Sequence, residues 1–215
     1  MIFIAENGGY IVHKGKELFL ASIKQQTYHQ IIHILNQHTN IPIQIICGKR
    51  SAYVNDLMTE KDFQIFLQYF PKMQRVKDFY EIDDDIIKIA LMTSEEEVDE
   101  IAHELSQALG ESLRVVTSGH GCIDLMISDI HKGFALQKIM QLLDIEKEEV
   151  MAFGDANNDL EMLTLAGYGF VMKNGTEEMK RKIKRVCEYS NEEDGEFEII
   201  EGYFDNPKRF LEKYK

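Results

Sequence analysis

Phe153-Gly154-Asp155-Ala156-Asn157-Asn158-Asp159 is the stretch on which the reading of this chain turns. The apolar run Val150, Met151, Ala152 and Phe153 reads as a buried strand, and Leu160 and Leu163 give the next segment a helical stripe. Asp155 therefore sits at the carboxyl end of a strand that feeds a helix, the edge at which open α/β sheets hold ligands. Asp159 falls on the first helical turn, close enough to share a hydrated cation or a water with Asp155. Hard carboxylate oxygens in this number suit magnesium, which keeps several waters and uses one or two carboxylates plus substrate phosphate.

Upstream, Lys132 opens a helix over about 133–143. A helix about 16 Å long that runs back along the sheet returns its start to the edge where the next strand ends. Lys132 is therefore expected at the same pocket as Asp155. An ammonium facing two carboxylates and a cation makes chemical sense if a phosphate dianion is to sit there.

The surrounding texture alternates: helix 133–143, strand 149–154, helix 157–166, strand 168–172, helix 176–187. This pattern predicts parallel strands joined by right-handed crossovers. The first half reads differently. A strand at 1–5 is followed by the Asn7-Gly8-Gly9 turn, and Tyr10 to His13 and Glu17 to Ala21 form a hairpin about Lys14-Gly15-Lys16. Helices are expected at 24–38, with Tyr28, Ile31, Ile32 and Leu35 inward, and at 58–75. A third starts from the Ser94–Glu97 capping box, buries Val98, Ile101, Ala102, Leu105 and Leu109, and ends at Gly110. Strands are expected at 41–47, 85–92, 113–117 and 122–127. The fold class is α/β, with a parallel-sheet core and an α+β module at 10–124.

The 215 residues carry a formal charge of −13, and 44% are hydrophobic, enough for one or two cores. So acidic a surface disfavours nucleic acid as partner. The one dense basic run, Lys180 to Arg185, reads as a solvated helix face beside Met179, Ile183 and Val186. Cys47, Cys122 and Cys187 are odd in number and widely spaced with no CxxC pair, which disfavours a disulfide framework and a structural zinc site and suits a reducing cytoplasm. No apolar run is long enough to span a membrane.

Asp155, Asn157 and Asp159 start like a calcium loop, but that loop needs Gly and Glu where Leu160 and Ala166 stand. His29 and His33 lie four apart on a helix without the following Glu of a zinc protease. Ser118-Gly119-His120-Gly121 reads as a hairpin turn, and Asp83-Asp84-Asp85 as the entry to a strand.

Gly154-Asp155-Ala156-Asn157-Asn158-Asp159 resembles the fourth motif (GDxxND) of the haloacid dehalogenase-like (HAD) hydrolases, and Lys132-Gly133 resembles the third. Asn7-Gly8-Gly9, Val171-Met172-Lys173-Asn174-Gly175 and Ser190-Asn191-Glu192-Glu193-Asp194-Gly195 resemble, in order, turns of the Cof-type sugar-phosphatase branch. The resemblance implies a Rossmann-like core built from 1–9 and 125–215 with an inserted C2-type cap at 10–124. It also implies a magnesium-dependent phosphatase of small phosphorylated metabolites such as sugar phosphates, working through an aspartyl-phosphate. In that scheme Asp155 ligates magnesium, Asp159 holds a metal water or Lys132, Asn158 contacts the phosphate, and Lys132 neutralises it.

The family's first motif, Asp-x-Asp-Gly-Thr, and the Ser or Thr of its second have no counterpart here. The chain starts where the family's third strand is expected, so those motifs would lie ahead of Met1. A carboxylate nucleophile is not replaced by its neighbours, so the expectation is a phosphatase fold whose 215-residue polypeptide does not turn over. The alternative is a non-catalytic relative that binds phosphometabolites or acts by association. A sheet lacking its first strands has an open edge. Residues 1–5 are expected to move to pair with strand 149–154, or two copies to form a homodimer that covers the gap.

Overall fold

The computed structural model describes residues 1–38, 40–117 and 121–214. The chain divides into two compact units, Met1–Ile130 and His131–Lys215.

The first unit begins with a three-stranded antiparallel sheet of β1 (Ile2–Ala5), β2 (Tyr10–His13) and β3 (Lys16–Leu20). β1 thus pairs with β2, Ile2 opposite His13 and Ala5 opposite Tyr10, and not with the strand at 149–154. The local pairing wins because a short turn closes at small entropic cost. Glu6 and Asn7 take left-handed backbone angles (φ 50° and 52°) to make that turn, and Lys14 and Gly15 (φ 51° and 75°) make the next.

Beyond α1 (Gln25–Leu35) comes a six-stranded sheet of order β6-β5-β4-β7-β9-β8. Its strands are β4 (Ile43–Gly48), β5 (Ala52–Asn55), β6 (Met73–Val76), β7 (Ile86–Met92), β8 (Leu113–Thr117) and β9 (Cys122–Ile127). Every pairing is antiparallel except β5 with β6. α1 and α3 (Val98–Leu109) cover one face, burying Ile31, Leu35, Ile101 and Leu105 against Ile89 and Ile123. Ahead of α3 the Glu97 N–H donates to Ser94 Oγ (3.3 Å), half of the expected capping box, while the Ser94 hydroxyl donates to the Glu97 carboxylate (2.8 Å). The helix is entered at Glu97, not Ser94, and Gly110, at φ 66°, ends it. On the other face Phe63 and Phe66 of α2 (Glu60–Phe66) pack on Ile45, Val54 and Met73.

The expected helix at 58–75 is therefore corrected. Only α2 is helical, and Met73–Val76 is an edge strand that continues the sheet beside β5, which periodicity did not reveal. Asp84 enters β7 as expected. It accepts from Tyr53 Oη (2.8 Å) and from the Arg50 and Asp85 backbone N–H groups (2.9 Å each). Burial opposes its charge, yet these bonds and the Arg50 guanidinium hold its carboxyl below the ordinary range. His29 lies edge-on to Tyr80, and the His33 ring lies 3.2 Å from Gln37 Nε2. The expected turn at Ser118-Gly119-His120 lies outside the described residues.

The sheet face shared by Cys47 and Ala90 also carries a buried ionic cluster. Lys88 Nζ lies 3.2 Å from Glu6 and 3.3 Å from Asp124, and Asn7 donates to the second oxygen of Asp124 (3.2 Å). The side chains of Lys88 and Asp124 are 13% and 7% exposed.

The second unit pairs β10 (Met151–Gly154) in parallel with β11 (Tyr168–Val171), flanked by α4 (Lys132–Leu143) and α5 (Leu160–Leu165). Among the described residues β10 hydrogen-bonds to β11 alone. α6 (Glu177–Lys182) stops short of the expected 176–187. Ile183 turns extended, and Arg185 O and Cys187 N–H bond to Val171 instead. Lys180 and Lys182 pair with Glu177 and Glu178 of the same helix, as a solvated face would. α7 (Gly195–Asp205) and α8 (Pro207–Lys213) close the unit, with the Phe210 ring tilted against Phe170 and the Tyr214 ring edge-on to it. Among the described residues no helix is long and apolar enough to cross a membrane.

Candidate active site

The Lys132 ammonium bonds to Asp159 Oδ1, which joins the two ends of the predicted constellation. α4 is aimed there by its cap: the His131 ring nitrogen Nδ1 accepts from the Phe134 N–H (3.1 Å), fixing Lys132 as the first helical residue. Gly133 sets the close approach of α4 to α5. A Cβ at this position would lie 2.8 Å from the Glu161 backbone, inside any real contact. The Lys132-Gly133 pair is therefore one device, a cation and the small residue that lets it arrive.

Asp159 is buried, with its side chain 5% exposed, and both its oxygens are committed. Oδ2 accepts from the backbone N–H groups of Asp155 (3.0 Å) and Ala156 (3.1 Å), so the loop after β10 wraps around this carboxylate. Gly154 is obligatory for that wrap, because a Cβ there would fall 2.4–2.7 Å from the Asp159 side chain. Lys132, at 31% exposure, keeps two further ammonium protons for a ligand.

Asp155 is half-buried at the end of β10. Its carbonyl accepts from the Thr176 N–H (3.1 Å), and Asn191 Nδ2 donates to its Oδ2 (3.2 Å). Asn157 is held between Thr176 Oγ1 (3.1 Å) and Glu178 (3.3 Å), and Asn158 is half-buried beside them in sequence. Lys132, Asp155 and Asp159 are thus brought together as expected. Asn174 and Asn191, which lie in motif-like turns but carried no predicted role, join them. Their contacts depend on two loops meeting 17 residues apart, a relation that periodicity does not encode.

Does this set suit a magnesium ion? Asp155 offers one carboxylate oxygen with no protein hydrogen bond among the described residues, while Asp159 is spent on Lys132 and the loop. One protein carboxylate beside a phosphate-seeking cation is the partial donor set magnesium accepts, with water and substrate supplying the rest. Among the described residues no group of three or more His, Cys, Asp or Glu stands together as a metal cluster. The donors present fit the ion.

A model for haloacid dehalogenase-like hydrolases matches residues 1–200. The 5-amino-6-(5-phospho-D-ribitylamino)uracil phosphatase YbjI of Escherichia coli (strain K12) is 31% identical over 199 residues, 93% of this chain and 73% of that protein. YitU of Bacillus subtilis (strain 168), a phosphatase of the same name, is 29% identical over 186 residues, 78% of this chain and 68% of its own. Among solved structures, SMU.1108c of Streptococcus mutans UA159 superposes with a TM-score of 0.89 at 27% identity, covering 96% of this chain and 77% of that one.

Proposed function

We propose, on the premise that this chain belongs to the haloacid dehalogenase-like hydrolase family, that it carries the magnesium- and phosphate-binding part of a phosphatase of small phosphorylated metabolites. The observation that supports this most is a single one: Asp159 binds the Lys132 ammonium and the Asp155 backbone with its two oxygens. Cation and free carboxylate oxygen are thereby held by one rigid loop.

In this reading Asp155 is the direct metal ligand, and Asp159 acts through Lys132. Lys132 neutralises the phosphate with its remaining protons, and Asn158 contacts a phosphate oxygen. Magnesium, when bound, polarises the phosphoryl group. The 125–215 segment with 1–9 serves as core and 10–124 as cap. The substrates are small phosphorylated compounds of the kind acted on by YbjI and YitU, sugar phosphates included. A nucleic acid is not a partner for a chain of charge −13, and a reducing cytoplasm suits its three free cysteines. A homodimer would cover the open edge of β10.

None of the 215 residues forms an Asp-x-Asp-Gly-Thr, so the polypeptide has the binding groups without the attacking carboxylate. Offered magnesium and a panel of phosphorylated sugars, this polypeptide is expected to unfold at higher temperature with some phosphorylated members and with none of their dephosphorylated forms. It is expected to release no phosphate above buffer. Turnover at family-like rates would overturn the inactive assignment, and the absence of any ligand shift would overturn the binding function.

A further inference from the structure

We infer that Asn174 and Asn191 form a two-step relay that positions Asp155, making Asn191 a determinant of metal affinity at this site. The inference rests on the reading of Asp155 as the metal ligand.

The direction of the relay is fixed by one unambiguous donor. The Asn191 backbone N–H points at Asn174 Oδ1 (3.4 Å), so the other atom of that amide is Nδ2. Asn174 Nδ2 donates to Asn191 Oδ1 (2.8 Å), which turns Asn191 Nδ2 toward Asp155 Oδ2 (3.2 Å). Neither amide can flip without placing two like atoms face to face. The donor on Oδ2 leaves Oδ1 as the oxygen facing a ligand, so the carboxylate is offered to a cation through one atom.

Both asparagines are exposed, so rigidity must come from their loops, and it does. Lys173 N–H bonds to Tyr189 O (3.1 Å), joining the two turns. Ser190 donates twice to the Glu193 carboxylate (N–H at 3.1 Å, Oγ–H at 2.9 Å), and Gly195 N–H returns to Ser190 O (3.0 Å). A Cβ at Gly195 would fall 2.6 Å from Tyr189 O, so the loop closes only with glycine. An amide that aims a metal carboxylate from such a frame acts as the outer partners of metal ligands do, at a typical 10- to 100-fold in affinity, with solvent exposure favouring the low end.

The test is magnesium affinity by titration calorimetry on the 215-residue polypeptide, with thermal unfolding in EDTA as a fold control. Asn191→Ala is expected to weaken magnesium about 10-fold. Asn174→Ala, which removes no group touching Asp155, is expected to weaken it about 3-fold, and the double variant should be no worse than Asn191→Ala alone. Affinity within 2-fold of the parent for Asn191→Ala, or additive losses in the double variant, would overturn the relay. If Asn191→Ala does not fold, Asn174→Ala decides: unchanged affinity there overturns it. Magnesium binding that is absent in the parent, or indifferent to Asp155→Ala, would instead sink the proposed function itself.

Discussion

Replacing Lys132 with methionine is expected to abolish measurable phosphate binding and to destabilise the second unit at the same time. The two losses have different origins. Phosphate loses a charge-assisted partner, and truncating one side of such a contact costs about 2–5 kcal/mol, or roughly 30- to 4,000-fold in affinity. Stability falls because Asp159, only 5% exposed, loses its counter-ion. Breaking a fully buried pair costs about 3–5 kcal/mol; with Lys132 partly in solvent, about 2–3 is expected here. Lys132→Met/Asp159→Asn separates the effects. The amide oxygen can still accept from the Asp155 and Ala156 N–H groups, so stability should largely return while phosphate binding stays lost. Calorimetric phosphate titration and thermal unfolding read the two effects independently. Recovery of both in the double variant would show that Lys132 has only a structural role.

Lys88→Met should be the most destabilising single change in the first unit. Lys88 is the only cation at hydrogen-bonding distance from either Asp124 or Glu6 among the described ion pairs, and Asp124 is 7% exposed. Burial works against the Lys88 charge, but Asp124 and Glu6 outweigh it and hold the ammonium protonated well above the ordinary range. Its loss strands a buried carboxylate, for about 3–5 kcal/mol and a fall of about 10–20 °C in the unfolding temperature of this unit. It also releases Glu6 from its ion pair, and Glu6 holds a left-handed backbone angle that costs about 1–3 kcal/mol unless the surroundings impose it. Lys88→Met/Asp124→Leu should recover most of the loss, because an apolar pair leaves no charge to solvate. Calorimetric unfolding of the single and double variants checks both statements. A single variant within about 1 kcal/mol of the parent would contradict the account.

Much of this was legible in the chain itself, for identifiable reasons. The β10 strand, its glycine and the carboxylates at 155 and 159 announce themselves because local chemistry and local structure coincide there. Lys132 could be placed because helix length and strand length fix which edge it returns to. The sequence also displayed α1 and α3, whose apolar stripes meet only one partner face each. What escaped was set by distant partners. Met73–Val76 became a strand because β5 presents a free edge to it, and residues 183–187 left helical geometry because Val171 offered backbone bonds. β1 joined β2, not β10, since the nearest strand in sequence competes at the lowest closure cost. Asn191 escaped for a similar reason: its role exists only where the 173–175 and 189–195 turns touch.

Diffraction from crystals soaked in manganese and inorganic phosphate tests the central claim most directly, because manganese substitutes for magnesium and marks itself by anomalous scattering. A manganese peak against the Asp155 carboxylate, with phosphate density bridging it to the Lys132 ammonium, is the predicted result. Manganese bound elsewhere, or phosphate seated without Lys132, would contradict the account.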